Sequence, residues 1–286
     1  MSDPAPSPAA AAPPLPPVLL VGCGKMGGAM LAGWLARGLP RAVVVEPRAE
    51  AVPPDPRVAV APDAASVPPG FAPGAVVLAI KPQEAPAALP AYAPLLAANP
   101  GAVAVSVMAG RTLASTSAAL GGHAAVVRAM PNTPAAVGRG FTVAHAAPGV
   151  SAESRALADA LLASVGEVAW AEDEAMLDAV TAVSGGGPAY VFLLAECLEA
   201  AARAQGLSPD LSRRMARATV AGSGALLAAS AEDAADLRRA VTSPGGTTER
   251  ALAVLMAPDA WPALVERAIA AATERSRDLA RDAAPA

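Results

Sequence analysis

Residues 18–27 read Val18-Leu19-Leu20-Val21-Gly22-Cys23-Gly24-Lys25-Met26-Gly27, four apolar residues running straight into a glycine-spaced turn. The apolar run has no polar alternation, which predicts a strand covered on both faces. Residues 26–37 then carry a helical pattern that stops at Gly38. A strand, a G-x-G-x-x-G turn and a helix in that order predict an anion site, because a helix N-terminus offers unpaired N–H groups and glycine lets a ligand approach the main chain. An acidic residue, Glu46, closes the next apolar run, as expected of a dinucleotide site. Gly22, Gly24, Lys25, Met26, Gly27 and Glu46 are therefore candidate cofactor-binding residues.

Working outward, further short apolar runs at 42–46, 58–61, 75–80, 102–107, 125–130 and 141–145 predict strands, most of them continuous. Helical stretches at 86–97, 112–120 and 152–164 fall between or after them. After about Ala171 strand signals stop, and residues 174–183, 188–205, 209–230, 234–241, 247–256 and 260–281 all read as helices. The expected fold is α/β: a Rossmann-type doubly wound sheet over residues 18–170, followed by an all-α domain over 171–286. Residues 1–17 are Pro- and Ala-rich with Asp3 as their only charge, which predicts a disordered tail.

Composition narrows the functional classes. The 286 residues are 54% hydrophobic but only 3% aromatic, because alanine supplies most of the apolar count, and such helices favour close association. A net charge of −4 leaves no broad basic surface for nucleic acid. Cys23 and Cys197 form neither a disulfide framework nor a metal cluster, which fits a reducing compartment. With no secretion-signal pattern and no run of roughly twenty consecutive apolar residues, a cytoplasmic protein without metal or membrane partner is expected.

At the carboxyl edge of the sheet, Ala79-Ile80-Lys81-Pro82 and Arg128-Ala129-Met130-Pro131-Asn132-Thr133-Pro134 leave strands where ligands of such folds bind. Lys81 is placed to flank phosphates or nicotinamide, and Asn132 sits on a proline-stiffened loop. Glu46 favours an unphosphorylated adenosine ribose, whereas Arg48, two residues on, argues for a 2′-phosphate. A second glycine turn, Thr242-Ser243-Pro244-Gly245-Gly246-Thr247-Thr248, opens a helix in the all-α half. The amides of Gly246, Thr247 and Thr248 are expected to grip a carboxylate beside Ser243, with a threonine hydroxyl meeting a second polar atom. His123 and His145 fall outside every motif and read as structural, and Tyr190 and Glu196 as packing or solvated side chains.

Together these segments resemble the pyrroline-5-carboxylate reductases. The likeness spans nearly everything after Val18. Its most specific piece is VTSPGGTTERAL at 241–252, supported by DAVTAVSGGGPAY at 178–190, RAMPNTP at 128–134 and AIKP at 79–82. The resemblance implies hydride transfer from NADPH or NADH to the C=N bond of 1-pyrroline-5-carboxylate, giving L-proline. It further implies Ala79, Lys81, Pro82 and Asn132 beside the cofactor, the substrate carboxylate on Gly246, Thr247 and Thr248, and Thr248 as the catalytic residue. It also implies a homodimer through the helical domain, with dimers that assemble further. One departure is Pro62-Asp63-Ala64, where relatives often carry a cofactor-contacting asparagine. A β-hydroxyacid dehydrogenase would need a lysine in the helical half, and Lys25 and Lys81 are the chain's only two. A dinucleotide-sensing scaffold without turnover would have no use for the second anion-ready turn.

Overall fold

The fold comes from a computed structural model that describes residues 14–282, so residues 1–13 of the expected tail lie outside the described residues. The described part of that tail is ordered chain: Leu15 is buried in the core, and Gly74 N–H donates to the Pro17 carbonyl at 2.9 Å. One leucine among prolines is enough to tie the chain down there, which the low apolar bulk of the segment concealed. Contacts divide the described residues into two units, 14–185 with 275–282, and Gly186–Glu274. The division falls later than the expected 170/171 because the segment in between packs back onto the sheet.

The first unit is built on one eight-stranded sheet in the order β3-β2-β1-β4-β5-β6-β7-β8. The strands are β1 Val18–Val21, β2 Ala42–Val45, β3 Val58–Ala61, β4 Ala75–Leu78, β5 Val103–Ser106, β6 Val126–Met130, β7 Gly140–Ala146 and β8 Gly166–Trp170. Strands β1 to β6 run parallel in the doubly wound order, while β7 pairs antiparallel with β6 and parallel with β8. Successive residues point to opposite faces of a pleated strand, and both faces are filled. Val18, Leu20, Val44, Val77 and Val105 face one core layer with Met30, Leu31 and Trp34 of helix α1, Lys25–Ala36. Leu19, Val21, Val43, Val45 and Leu78 face the other, with Leu89, Tyr92 and Leu96. This two-sided cover is why the strands read as unbroken apolar runs.

Two departures from the sequence expectation have local causes. The helix expected over 86–97 is broken into α2 Ala85–Ala88, a 3-10 turn Leu89–Tyr92 and α3 Ala93–Ala98. Pro86, Pro90 and Pro94 recur every four residues, and each lacks the N–H that would continue the ladder. Strand β8 was absent from the expectation: it is five residues long and half-buried, a weak apolar signal. Its first residue, Gly166, has φ +152°, and a side chain there would strike the Gly140 carbonyl where β7 and β8 begin to pair. The remaining helices of this unit are α4 Leu113–Ala119, α5 Ala152–Leu162 and α6 Met176–Val180, the last passing into a π-helical turn Thr181–Gly185.

The second unit is helical throughout its regular structure. It holds α7 Gly187–Ala204, α8 Pro209–Ala229, α9 Ala234–Ala240, α10 Thr247–Leu255 and most of α11 Trp261–Asp282. Within the single chain, Phe192, Leu193, Leu226, Leu227, Val254 and Leu264 stay exposed. Apolar surface this extensive marks an interaction face. The helical stretch Met176–Ala204 is also long and apolar enough to cross a membrane by length and composition.

Candidate active site

The glycine turn shapes a crevice of about 610 Å³ at the carboxyl ends of β1, β2 and β4, lined by Gly22, Gly24, Glu46, Arg48, Asp63, Ala79, Lys81 and Tyr92. Gly22 has φ +89°, and a Cβ there would lie 2.7 Å from the Ala79 carbonyl oxygen. A Cβ on Gly27 would collide with the Gly22 carbonyl. Bare main chain at both positions lets α1 start hard against β1 and β4 and aim its N-terminus into the crevice. Gly27 and Met26 support the turn from below, Gly27 fully buried and Met26 packed on the core, while Lys25 is exposed at the first helical position.

Glu46 is 7% exposed, and its Oε2 accepts from Cys23 N–H at 3.0 Å. Its Oε1 accepts from Arg48 N–H at 3.2 Å and Arg48 Nε at 3.4 Å. Burial works against the charge, yet these N–H groups and the Arg48 guanidinium together hold the carboxyl below its usual range. Burial, and then the Glu46 charge, push the Cys23 thiol up, so it stays protonated as a small packing residue. Asp63, at the departure from the family pattern, caps a 3-10 turn by accepting from Ser66 N–H at 2.9 Å and Ser66 Oγ at 2.7 Å. Burial, with Asp63 as a second cause, pushes the Tyr92 phenol up to about 12, leaving it neutral in the crevice wall.

On the AIKP segment, Ala79 N–H donates to Val21 O at 2.8 Å, the Pro82 carbonyl accepts from Arg111 Nε at 2.9 Å, and Lys81 is exposed at the crevice. Asn132 does not line that crevice. Its Oδ1 accepts from Phe141 N–H at 2.9 Å and its Nδ2 donates to Ser184 Oγ at 3.2 Å, which ties the loop after β6 to the start of β7 and to the π turn. A neighbouring network went unread in the sequence. Arg128, with 3% of its side chain exposed, donates to Glu174 Oε1 at 2.9 Å and pairs with Asp178 at 3.9 Å. Glu174 also accepts from Leu113 N–H at 2.7 Å, and Ser276 Oγ donates to Asp178 at 2.7 Å. Charge-to-charge spacing along the chain gives no sign of such pairs, since the partners lie 46 and 50 residues apart.

The second turn lies in the helical unit. Gly245 has φ +71° and its N–H donates to Glu249 Oε2 at 2.7 Å, while Gly246 N–H donates to Ser243 O at 3.0 Å and caps α10. Gly246, expected as a carboxylate donor, has its N–H bonded inside the turn. The N–H groups and hydroxyls of Thr247 and Thr248 have no hydrogen-bond partner among the described residues. His123 Nε2 meets Ala102 O at 2.8 Å and His145 Nδ1 meets Ala171 O at 2.9 Å, both on main-chain carbonyls of the first unit.

Residues 174–279 match the family model for pyrroline-5-carboxylate reductase dimerisation. The chain is 40% identical over 271 residues to a pyrroline-5-carboxylate reductase of Pseudomonas aeruginosa, covering 93% of this chain and 97% of that one. It is 36% identical over 206 residues to the Synechocystis enzyme of the same name, covering 72% and 75%. Among solved structures, a pyrroline-5-carboxylate reductase from Coxiella burnetii superposes with TM-score 0.81 at 30% identity, over 92% of this chain and 97% of that one. The Plasmodium falciparum pyrroline carboxylate reductase with NADP bound gives 0.77 at 25%, over 93% and 98%.

Proposed function

The chain belongs to the pyrroline-5-carboxylate reductase family, and from that premise we propose which residues carry the reaction. The enzyme transfers a hydride from NAD(P)H to the C=N bond of 1-pyrroline-5-carboxylate, forming L-proline. The crevice at the first glycine turn fits the dinucleotide: a cradle closed to side chains at Gly22 and Gly27, a helix N-terminus for the pyrophosphate, and Glu46 at the ribose position. Bound there, the reduced nucleotide supplies the hydride. Lys81 flanks its phosphate side, and Asn132 acts by holding the β6 exit loop in place.

The observation that carries the substrate assignment is the start of α10, where the Thr247 and Thr248 amides and hydroxyls have no partner among the described residues while Gly245 and Gly246 are already bonded. These amides bind the substrate carboxylate at the positive end of the helix. The Thr248 hydroxyl orients the ring nitrogen and assists its proton balance. A protonated imine is already an electrophile, so no strong enzymic acid is needed, and alignment of the reactants supplies most of the acceleration, roughly 7–11 kcal/mol. Thr248→Ala is expected to lower kcat about a hundredfold, as for loss of one site donor, with Thr248→Ser restoring most of it. A near-wild-type kcat in the alanine variant would refute the assignment.

The dimerisation match and the exposed apolar faces of α7, α8, α10 and α11 support a homo-oligomer. We assign the basic assembly as a homodimer through the helical domain, with dimers associating further. The same subunit contact accounts for the apolar stretch Met176–Ala204 without a membrane, and the free thiols Cys23 and Cys197 fit the cytoplasm.

A further inference from the structure

The sequence sets Glu46 against Arg48 in the choice of nucleotide, and the geometry breaks the tie. Glu46 is held at the crevice wall: its Oε2 accepts from the N–H of buried Cys23, inside the glycine turn, at 3.0 Å. Rotating the carboxylate out would leave that donor buried and unpaired. Arg48 leans on the same carboxylate: its main-chain N–H and its Nε donate to Glu46 Oε1 at 3.2 and 3.4 Å. The pair is neutral as a whole, with the negative end fixed and the positive end 70% exposed. Asp63 and Glu84 add two more carboxylates to the same lining, against Lys81 as the other cation.

A ribose diol can donate to the remaining lone pairs of Glu46, whereas a 2′-phosphate would bring about two negative charges against a carboxylate held at the crevice wall. Resting on the cofactor site described above, we infer that the crevice selects the dinucleotide with an unphosphorylated adenosine ribose, NADH over NADPH, and that Glu46 is the residue that makes the choice. Arg48 then steadies Glu46 and does not receive a phosphate.

The test is calorimetric titration of the full-length enzyme, without substrate, with NADH and with NADPH. NADH is expected to bind at least about tenfold more tightly, the scale of an unfavourable like-charge contact. In Glu46→Gln, which retains an acceptor for the Cys23 N–H, the two affinities should converge to within about threefold, chiefly because NADPH binds better. Equal or tighter NADPH binding by the wild type overturns the inference. So does a ratio unchanged in a Glu46→Gln protein that melts like wild type. If the folded wild type binds neither nucleotide, the cofactor site itself is wrong and the preference falls with it; nucleotide binding with the opposite preference would leave the site standing and remove only the selectivity.

Discussion

Arg128 enters the interior from β6 with two carboxylates for company, its Nε without a hydrogen-bond partner among the described residues. Removing one member of a buried ion cluster leaves the others uncompensated. Arg128→Met should therefore lower stability by about 3 kcal/mol, toward the lower end of the usual range because Glu174 is a quarter exposed; denaturant titration measures it, and a loss under about 1 kcal/mol would show that the network is slack. Glu46 adds a pH dependence. Its folded pKa is depressed, so its stabilising contribution is fully present above its ordinary value and is lost as pH falls through the folded one. Urea titrations down the acid range should show Glu46→Gln losing less stability than wild type as pH drops, and parallel curves would contradict the bonding described. At this scale the glycines that shape the first turn and the Glu46 and Arg48 side chains that line its crevice were legible, because motif chemistry is local. The roles of Asn132, Arg128, Glu174 and Ser276 were not, since each depends on a partner that only the folded chain supplies.

Among the elements, apolar runs marked β1 to β7, and for β1, β2, β4, β5 and β6 the cause is cover on both faces, which needs no polar alternation. Strand β8, GEVAW, opens on a glycine and a glutamate and so offers only three apolar residues in a row, and the proline-punctuated run between β4 and β5 looks like one helix until the missing N–H groups are counted. Since β8 starts where Gly166 crosses Gly140 main chain to main chain, Gly166→Ala should destabilise the sheet edge by about 2 kcal/mol and strip hydrogen-exchange protection from β7 and β8 before the rest of the sheet. Protection lost evenly across all strands would mean that this edge is not a separate element of stability. Helix α10 carries its own local brace: Glu249 reaches back to accept from Gly245 N–H, which fixes the turn in front of Thr247 and Thr248.

For the molecule as a whole, the doubly wound sheet followed by helices was readable from the order of the runs, and the family from four short segments. Where the compact units divide was not, because α6 and the π turn are helical in pattern yet pack on the sheet. A helical unit with so few buried side chains of its own needs a second copy, so sedimentation equilibrium at assay concentration should report a dimer or larger, and a monomer would contradict the assembly. The proposed substrate contact rests on the main-chain donors at the start of α10. A crystal structure of the enzyme with L-proline and nucleotide tests them most directly: the carboxylate is predicted within about 2.7–3.2 Å of the Thr247 and Thr248 nitrogens, with the ring facing the nicotinamide. Proline seated elsewhere, with those two amides bonded to protein, would contradict it.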